Sequence, residues 1–159
     1  MFFERSKGVT FITEIYRWKL EKGNIMTDSA DKKRILIVED EPSISSLCVR
    51  VLTSEGLDVF VAVDGRVAED MLDKNYYDLC LIDVKTPVIN GKELFQYIND
   101  RHHELVGGVI LTTGDVIGGE TQSFLKETGR LFLLKPFAPE ELRAIVKEVL
   151  KSRGISIKN

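Results

Sequence analysis

Residues 35–44 read ILIVEDEPSI. Four apolar residues, Ile35 to Val38, run directly into three carboxylates, Glu39, Asp40 and Glu41, and then a proline. The apolar run has the length of a short strand and is continuous rather than alternating, which suits a parallel strand covered on both faces. Acids grouped at its end repel one another and are costly to desolvate. Capping of the next helix is the simplest account of them, and a shared cation is the other.

Four further runs of the same kind follow, at 57–61, 78–82, 108–112 and 131–134, each rich in Val, Ile, Leu or Phe. Stretches of helical period lie between them. Ile44, Leu47, Cys48, Val51 and Leu52 make one apolar stripe, and Leu142, Ile145, Val146, Val149 and Leu150 another. Val67, Ala68, Met71 and Leu72 make a third, and Leu94, Phe95, Tyr97 and Ile98 a fourth that runs nearly all round. The segment 118–127 offers only Phe124 and Leu125, so its helix should be the least firmly held. Gly56 suits the end of the first helix and Pro139 the first turn of the last. The result is an α/β chain with a (βα)5 alternation, which right-handed crossovers convert into a doubly wound parallel sheet.

The chain has 159 residues, 43% hydrophobic and 30% charged, as expected of one ordinary domain with a tail or linker. No apolar run approaches the roughly 20 residues of a membrane helix, and the N-terminus lacks a secretory pattern, which favours the cytoplasm and no membrane contact. A net charge of −3 gives no general pull toward nucleic acid. Cys48 and Cys80 fall inside apolar patterns and are expected to be buried thiols.

In doubly wound folds ligands bind outside the carboxyl ends of the strands. Those ends carry Glu39 and Asp40, Asp83, Thr113 and Lys135. Three converging carboxylates call for a hard divalent ion with oxygen ligands, and Mg²⁺ is the natural one, with a lysine and a hydroxyl completing a clamp for a phosphoryl group. Asp83, trailed by the proline and glycine loop VKTPVING, is the preferred nucleophile.

The segments ILIVEDEP, DLCLIDVKTPVINGKEL, VILTTGD and LFLLKPF, in that order over residues 33–153, resemble the receiver domain of two-component response regulators. Asp40 to Asp83 spans 43 residues, Asp83 to Thr113 spans 30 and Asp83 to Lys135 spans 52. The resemblance implies a flavodoxin-like sheet of strand order 2-1-3-4-5. It implies that Asp83 accepts a phosphoryl group from the phosphohistidine of a histidine kinase or histidine phosphotransfer protein. Glu39, Asp40, Asp83 and the Lys85 carbonyl then hold Mg²⁺, and Thr113 and Lys135 bind the phosphoryl oxygens. Phe132 becomes the aromatic that turns inward on activation, with packing in LFLL as its plainer role. Such a domain catalyses its own phosphorylation and dephosphorylation. Glu41 caps a helix or faces solvent. Glu39 replaces the usual first aspartate, and Thr86 stands where methionine commonly precedes the proline. Lys85 and Asp115, two residues beyond Asp83 and Thr113, are placed at the pocket mouth, where opposite charges could pair and screen the phosphoaspartate from water.

Residues 8–15, GVTFITEI, resemble the last strand of a sensor kinase's ATP-binding domain, although Ile12, Ile15, Tyr16 and Leu20 also fit a helical stripe. The chain therefore divides into an N-terminal segment and linker, 1–32, a receiver, 33–153, and a tail, 154–159. It reads as the C-terminal receiver of a hybrid histidine kinase in a phosphorelay, with a stand-alone single-domain response regulator as the alternative. Dimerisation is left open, and too little chain follows residue 153 for a DNA-binding output domain. An aspartate-nucleophile phosphatase of the haloacid-dehalogenase type needs an acid where Lys85 stands, and a flavin phosphate would be repelled by residues 39–41. His102 and His103 read as adjacent surface histidines.

Overall fold

The computed structural model describes residues 32–115 and 119–157. Readings made for residues 1–31, the kinase-like strand among them, lie outside the described residues. The elements are β1 (Arg34–Val38), α1 (Pro42–Ser54), β2 (Asp58–Ala62), α2 (Gly65–Lys74), β3 (Leu79–Asp83), α3 (Gly91–Arg101), a 3₁₀ turn (His103–Gly108), β4 (Val109–Thr113), α4 (Gly119–Thr128), β5 (Phe132–Leu134) and α5 (Pro139–Ser152). The five strands form one sheet of order β2-β1-β3-β4-β5, all pairs parallel.

Burial on both faces explains the near-continuous apolar runs of the middle strands, since every residue of β3 and β4 is buried. One core packs α1 and α5 against the sheet through Leu52, Leu142, Val146 and Leu150, and the other packs α2, α3 and α4 through Ala68, Leu94, Ile98 and Phe124. Cys48 lies in the first and Cys80 in the second; burial pushes the Cys48 thiol up to about 12 and raises that of Cys80 further. Neither is a reactive thiol.

Full coverage fails at the two edges. The β2 residues are half-buried up to Ala62, and β5 leaves Phe132 and Leu134 each 44% exposed while only Leu133 turns inward. An edge strand has one neighbour, and a three-residue strand follows the pleat rather than a two-sided core.

The later strands also begin one residue after the runs read from sequence. At the start of β3 the reason is visible: Asp78 turns its carboxylate to the Arg34 backbone N–H at 2.8 Å, so the ladder begins at Leu79. Before β4, Gly108 belongs to the 3₁₀ turn. The shift carries Asp83 and Thr113 into the last rung of their strands, where backbone pairing holds their Cα atoms in place.

Helix ends follow local chemistry. Asp64 caps α2 by accepting from the Val67 N–H at 2.9 Å, and Asn90 and Glu93 form a reciprocal capping box on α3. The expected surface pair His102 and His103 is split in role. His102 ends α3 and places Nε2 3.0 Å from Asp73 Oδ1, which also accepts from Tyr97 Oη at 2.6 Å. The shared carboxylate ties α2 to α3, and these bonds hold the Asp73 carboxyl below its usual range. Beyond α5, Ile155 and Ile157 pack against the first core.

Gly56 closes α1 at φ +80°, its N–H donating to the Thr53 carbonyl at 3.0 Å and that of Leu57 to the Leu52 carbonyl at 3.2 Å. A Cβ here would meet nothing within 4 Å, so the cost of a side chain is that of the backbone alone. Gly56→Ala is expected to lower stability by about 1 kcal/mol, read as a lower urea midpoint at unchanged slope.

Candidate functional site

Parallel pairing puts the carboxyl ends of β1, β3, β4 and β5 side by side. The Glu39 N–H donates to the Ala62 carbonyl at 3.1 Å, continuing the β1 ladder one step and turning the Glu39 side chain into the cleft. Oxygens of Glu39, Asp40 and Asp83 all lie within 4.8 Å of one another. Glu39 is 3% and Asp83 6% exposed, whereas Asp40 is open to solvent. Lys135, from the end of β5, sets its ammonium 2.7 Å from Glu39 Oε2 and 3.2 Å from Asp83 Oδ2.

Burial raises the Glu39 carboxyl above its usual range, against the hydrogen bonds of Lys135 and the Glu41 N–H, and the charge of Asp83 adds to the rise. Burial disfavours the Lys135 ammonium as well, but Glu39 and Asp83 outweigh it and hold the lysine above its ordinary value. The cation is therefore fixed between two buried acids. Glu41 stands at the cap position of α1 without a capping bond and faces solvent, with Oε1 3.7 Å from the same ammonium.

The loop after β3 is built around Asp83. Its Oδ1 accepts from the Lys85 N–H at 3.1 Å, and its carbonyl accepts from Thr86 Oγ1 at 2.5 Å. Thr86 is 3% exposed, so this bond is made out of water. Its positioning role was missed in the sequence, although a hydroxyl three residues beyond a strand end is the spacing that reaches back to a carbonyl. Gly91 completes the loop: a Cβ there would stand 2.7 Å from the Val84 Cα and 2.9 Å from the Asp83 carbonyl, so only glycine lets α3 start this close to the acid.

Thr113 is 1% exposed, and its hydroxyl is engaged by Asp115, donating to the Asp115 carbonyl at 3.0 Å and accepting from the Asp115 N–H at 3.1 Å. The Lys85 and Asp115 side chains are exposed at the rim. Phe132 is turned outward, so in this conformation it is not the core residue that its surroundings in LFLL suggest. The site thus joins Glu39, Asp40, Asp83 and Lys135, with Thr113 on the adjacent strand. Three hard oxygen donors on fixed strand ends suit a divalent cation, and an ammonium beside them suits an anion brought to Asp83.

Residues 35–147 match the response regulator receiver domain. The chain belongs to this family. The receiver is 33% identical over 123 residues to the response regulator protein PilR of Pseudomonas aeruginosa, covering 77% of this chain and 27% of that protein. The curated relatives are longer: the receiver spans 19% of the transcription factor SKN7 of Saccharomyces cerevisiae, to which it is 30% identical. Among solved structures, a CheY-like receiver domain from Methanospirillum hungatei superposes with a TM-score of 0.69 at 28% identity, over 77% of this chain and 97% of that one. The response regulator TrrA of Thermotoga maritima, in complex with Mg²⁺ and BeF, is 31% identical with a TM-score of 0.65, over 74% of this chain and 99% of that one. Among the described residues no helix is long and apolar enough to cross a membrane.

One residue of the receiver loop sits in a conformation foreign to its type. Val88 has φ +69° and is 74% exposed, so a β-branched side chain occupies the left-handed region without packing to offset the cost. Asparagine tolerates that region. Val88→Asn is expected to raise stability by about 1 kcal/mol, measured as an increased urea midpoint.

Proposed function

We propose that Asp83 of this receiver is the phosphoacceptor of a phosphorelay, taking its phosphoryl group from the phosphohistidine of a histidine kinase or a histidine phosphotransfer protein. The observation that carries this reading is the Lys135 ammonium held within 3.2 Å of both buried acids, Glu39 and Asp83, at the strand ends. In the transfer the donor's P–N bond breaks, its electron pair returns to the imidazole nitrogen, and a bond forms between phosphorus and an Asp83 carboxylate oxygen. Lys135 and Thr113 stand where they can receive the phosphoryl oxygens, Lys135 by exchanging an acid for a phosphoryl contact and Thr113 by leaving Asp115.

The oxygen set of Glu39, Asp40 and Asp83 fits a Mg²⁺ ion, with the Lys85 carbonyl as a further donor. Bound there, it would supply positive charge to the phosphoryl oxygens. The relative TrrA, solved with Mg²⁺ and BeF, supports that choice of ion. Thr113 and the outward Phe132 form the switch, moving together once the hydroxyl changes partner. Lys85 and Asp115 line the route of attacking water. The receiver proper comprises residues 33–153, and the likeness of GVTFITEI to a kinase ATP-domain strand supports a place behind a sensor kinase in a cytoplasmic hybrid protein.

Incubation with Mg²⁺ and a small phosphodonor is expected to add one phosphate by intact mass, dependent on the ion and absent in Asp83→Asn. Undiminished labelling of Asp83→Asn would overturn the assignment.

A further inference from the structure

The Asp83 carbonyl accepts two hydrogen bonds from one residue. Thr86 donates its backbone N–H at 3.1 Å and its hydroxyl at 2.5 Å. The N–H bond alone closes a four-residue turn over Val84 and Lys85 and satisfies the carbonyl, so burial does not require the second donor. A buried hydroxyl is itself costly to desolvate, and an apolar side chain of the same size would fill the position without that cost. Thr86 is 3% exposed, so its hydroxyl adds precision to the turn where shelter from water is already complete.

That turn governs two oxygens of the acid pocket. Lys85, its second central residue, donates its N–H to Asp83 Oδ1 at 3.1 Å, while Oδ2 faces the Lys135 ammonium at 3.2 Å. The Lys85–Thr86 peptide is trans. A planar trans peptide directs its C=O opposite to its N–H, so the bond from the Thr86 N–H to Asp83 also fixes the direction of the Lys85 carbonyl. The flanks of the turn are held by other bonds, from the Val84 N–H to the Thr112 carbonyl at 2.9 Å and from the Gly91 N–H to the Val84 carbonyl at 3.0 Å. Pro87 disfavours helical backbone at Thr86, and a β-branched side chain has few rotamers to choose from. The hydroxyl therefore reaches the carbonyl with little freedom to lose.

We propose, resting on the role given to Asp83 under the proposed function, that Thr86 is a positioning residue for the ion and the phosphoryl group. Its hydroxyl keeps the turn closed, and the closed turn aims the Asp83 carboxylate and the Lys85 carbonyl together. Without the hydroxyl an arriving cation has to order the turn itself, so its apparent affinity falls by the fraction of chains in which the turn stands open.

The test compares the full chain with Thr86→Val, Thr86→Ala and Thr86→Ser. Both of the first two remove the hydroxyl and keep the backbone bond, and Thr86→Ser restores the hydroxyl. Gly56→Ala, at the end of α1, serves as a variant of lowered stability away from the acids. Mg²⁺ affinity is read by titration calorimetry, the turn by the Lys85 amide resonance of the ion-free protein, and the fold by the urea midpoint. Thr86→Val and Thr86→Ala are expected to bind Mg²⁺ about threefold more weakly, as for a site competent about a third of the time, and to shift the Lys85 amide. Thr86→Ser is expected to match the unaltered chain in both, and Gly56→Ala to match it in Mg²⁺ affinity despite a lower midpoint. Unchanged Mg²⁺ affinity in a folded Thr86→Val or Thr86→Ala, no recovery in Thr86→Ser, or an equal loss in Gly56→Ala would each overturn the proposal. The phosphoacceptor reading survives those outcomes as long as the unaltered chain binds Mg²⁺ and labels at Asp83; an unaltered chain that binds no Mg²⁺ would overturn both.

Discussion

The structure depends on one electrostatic constraint: two buried carboxylates, Glu39 and Asp83, and a third, Asp40, share a sheet end, and the Lys135 ammonium stands between the buried two. A buried acid pair without a cation would repel, and each member would favour its neutral form. Lys135 meets that need from β5, the strand with the fewest residues. From the edge strand the lysine reaches past β4 to Asp83, two strands away, and to Glu39, three strands away. A parallel sheet of order 2-1-3-4-5 is the frame that brings the four residues together, since it places β1 and β3 as neighbours with β4 and β5 following.

The chemistry inherits the balance of that cluster. An ion pair of this kind is weak evidence for stability, because desolvation offsets much of the attraction. Its use is positional: the ammonium lies beside Asp83, the proposed phosphoacceptor, with Glu39 as its second oxygen partner. Thr113 is prepared differently, through a hydroxyl closed onto the Asp115 backbone. Under the proposed function, an arriving phosphoryl group would have to outcompete that turn for the hydroxyl.

Much of this was legible in the sequence. The apolar runs located the strands, most clearly β1, β3 and β4, which are buried on both faces, and the grouping of Glu39, Asp40 and Asp83 was legible because parallel pairing brings the carboxyl ends of β1 and β3 together. Starts of strands were misread by one residue where a polar residue counted into the run, such as Asp78, is drawn into bonding a neighbouring backbone N–H. Coverage of β5 was misread because an apolar tripeptide looks the same at an edge as in the middle. Thr86 and Val88 were not recognised because their roles lie in a hydroxyl bond over three residues and in a backbone angle, neither of which composition records. The sparse apolar content of α4 was legible, and Phe124 and Leu125 are the residues it buries.

The central claim is that Lys135 serves as the resident cation of the acid cluster, and that a divalent ion answers the same need. The direct measurement is the thermal midpoint of Lys135→Met in chelator and in excess Mg²⁺. Breaking a buried pair costs about 3 kcal/mol, so the midpoint in chelator is expected to fall well below that of the unaltered chain. Mg²⁺ is expected to restore most of the loss, raising the variant more than it raises the parent. An undiminished midpoint in chelator, or a loss that Mg²⁺ does not repair, would contradict the account.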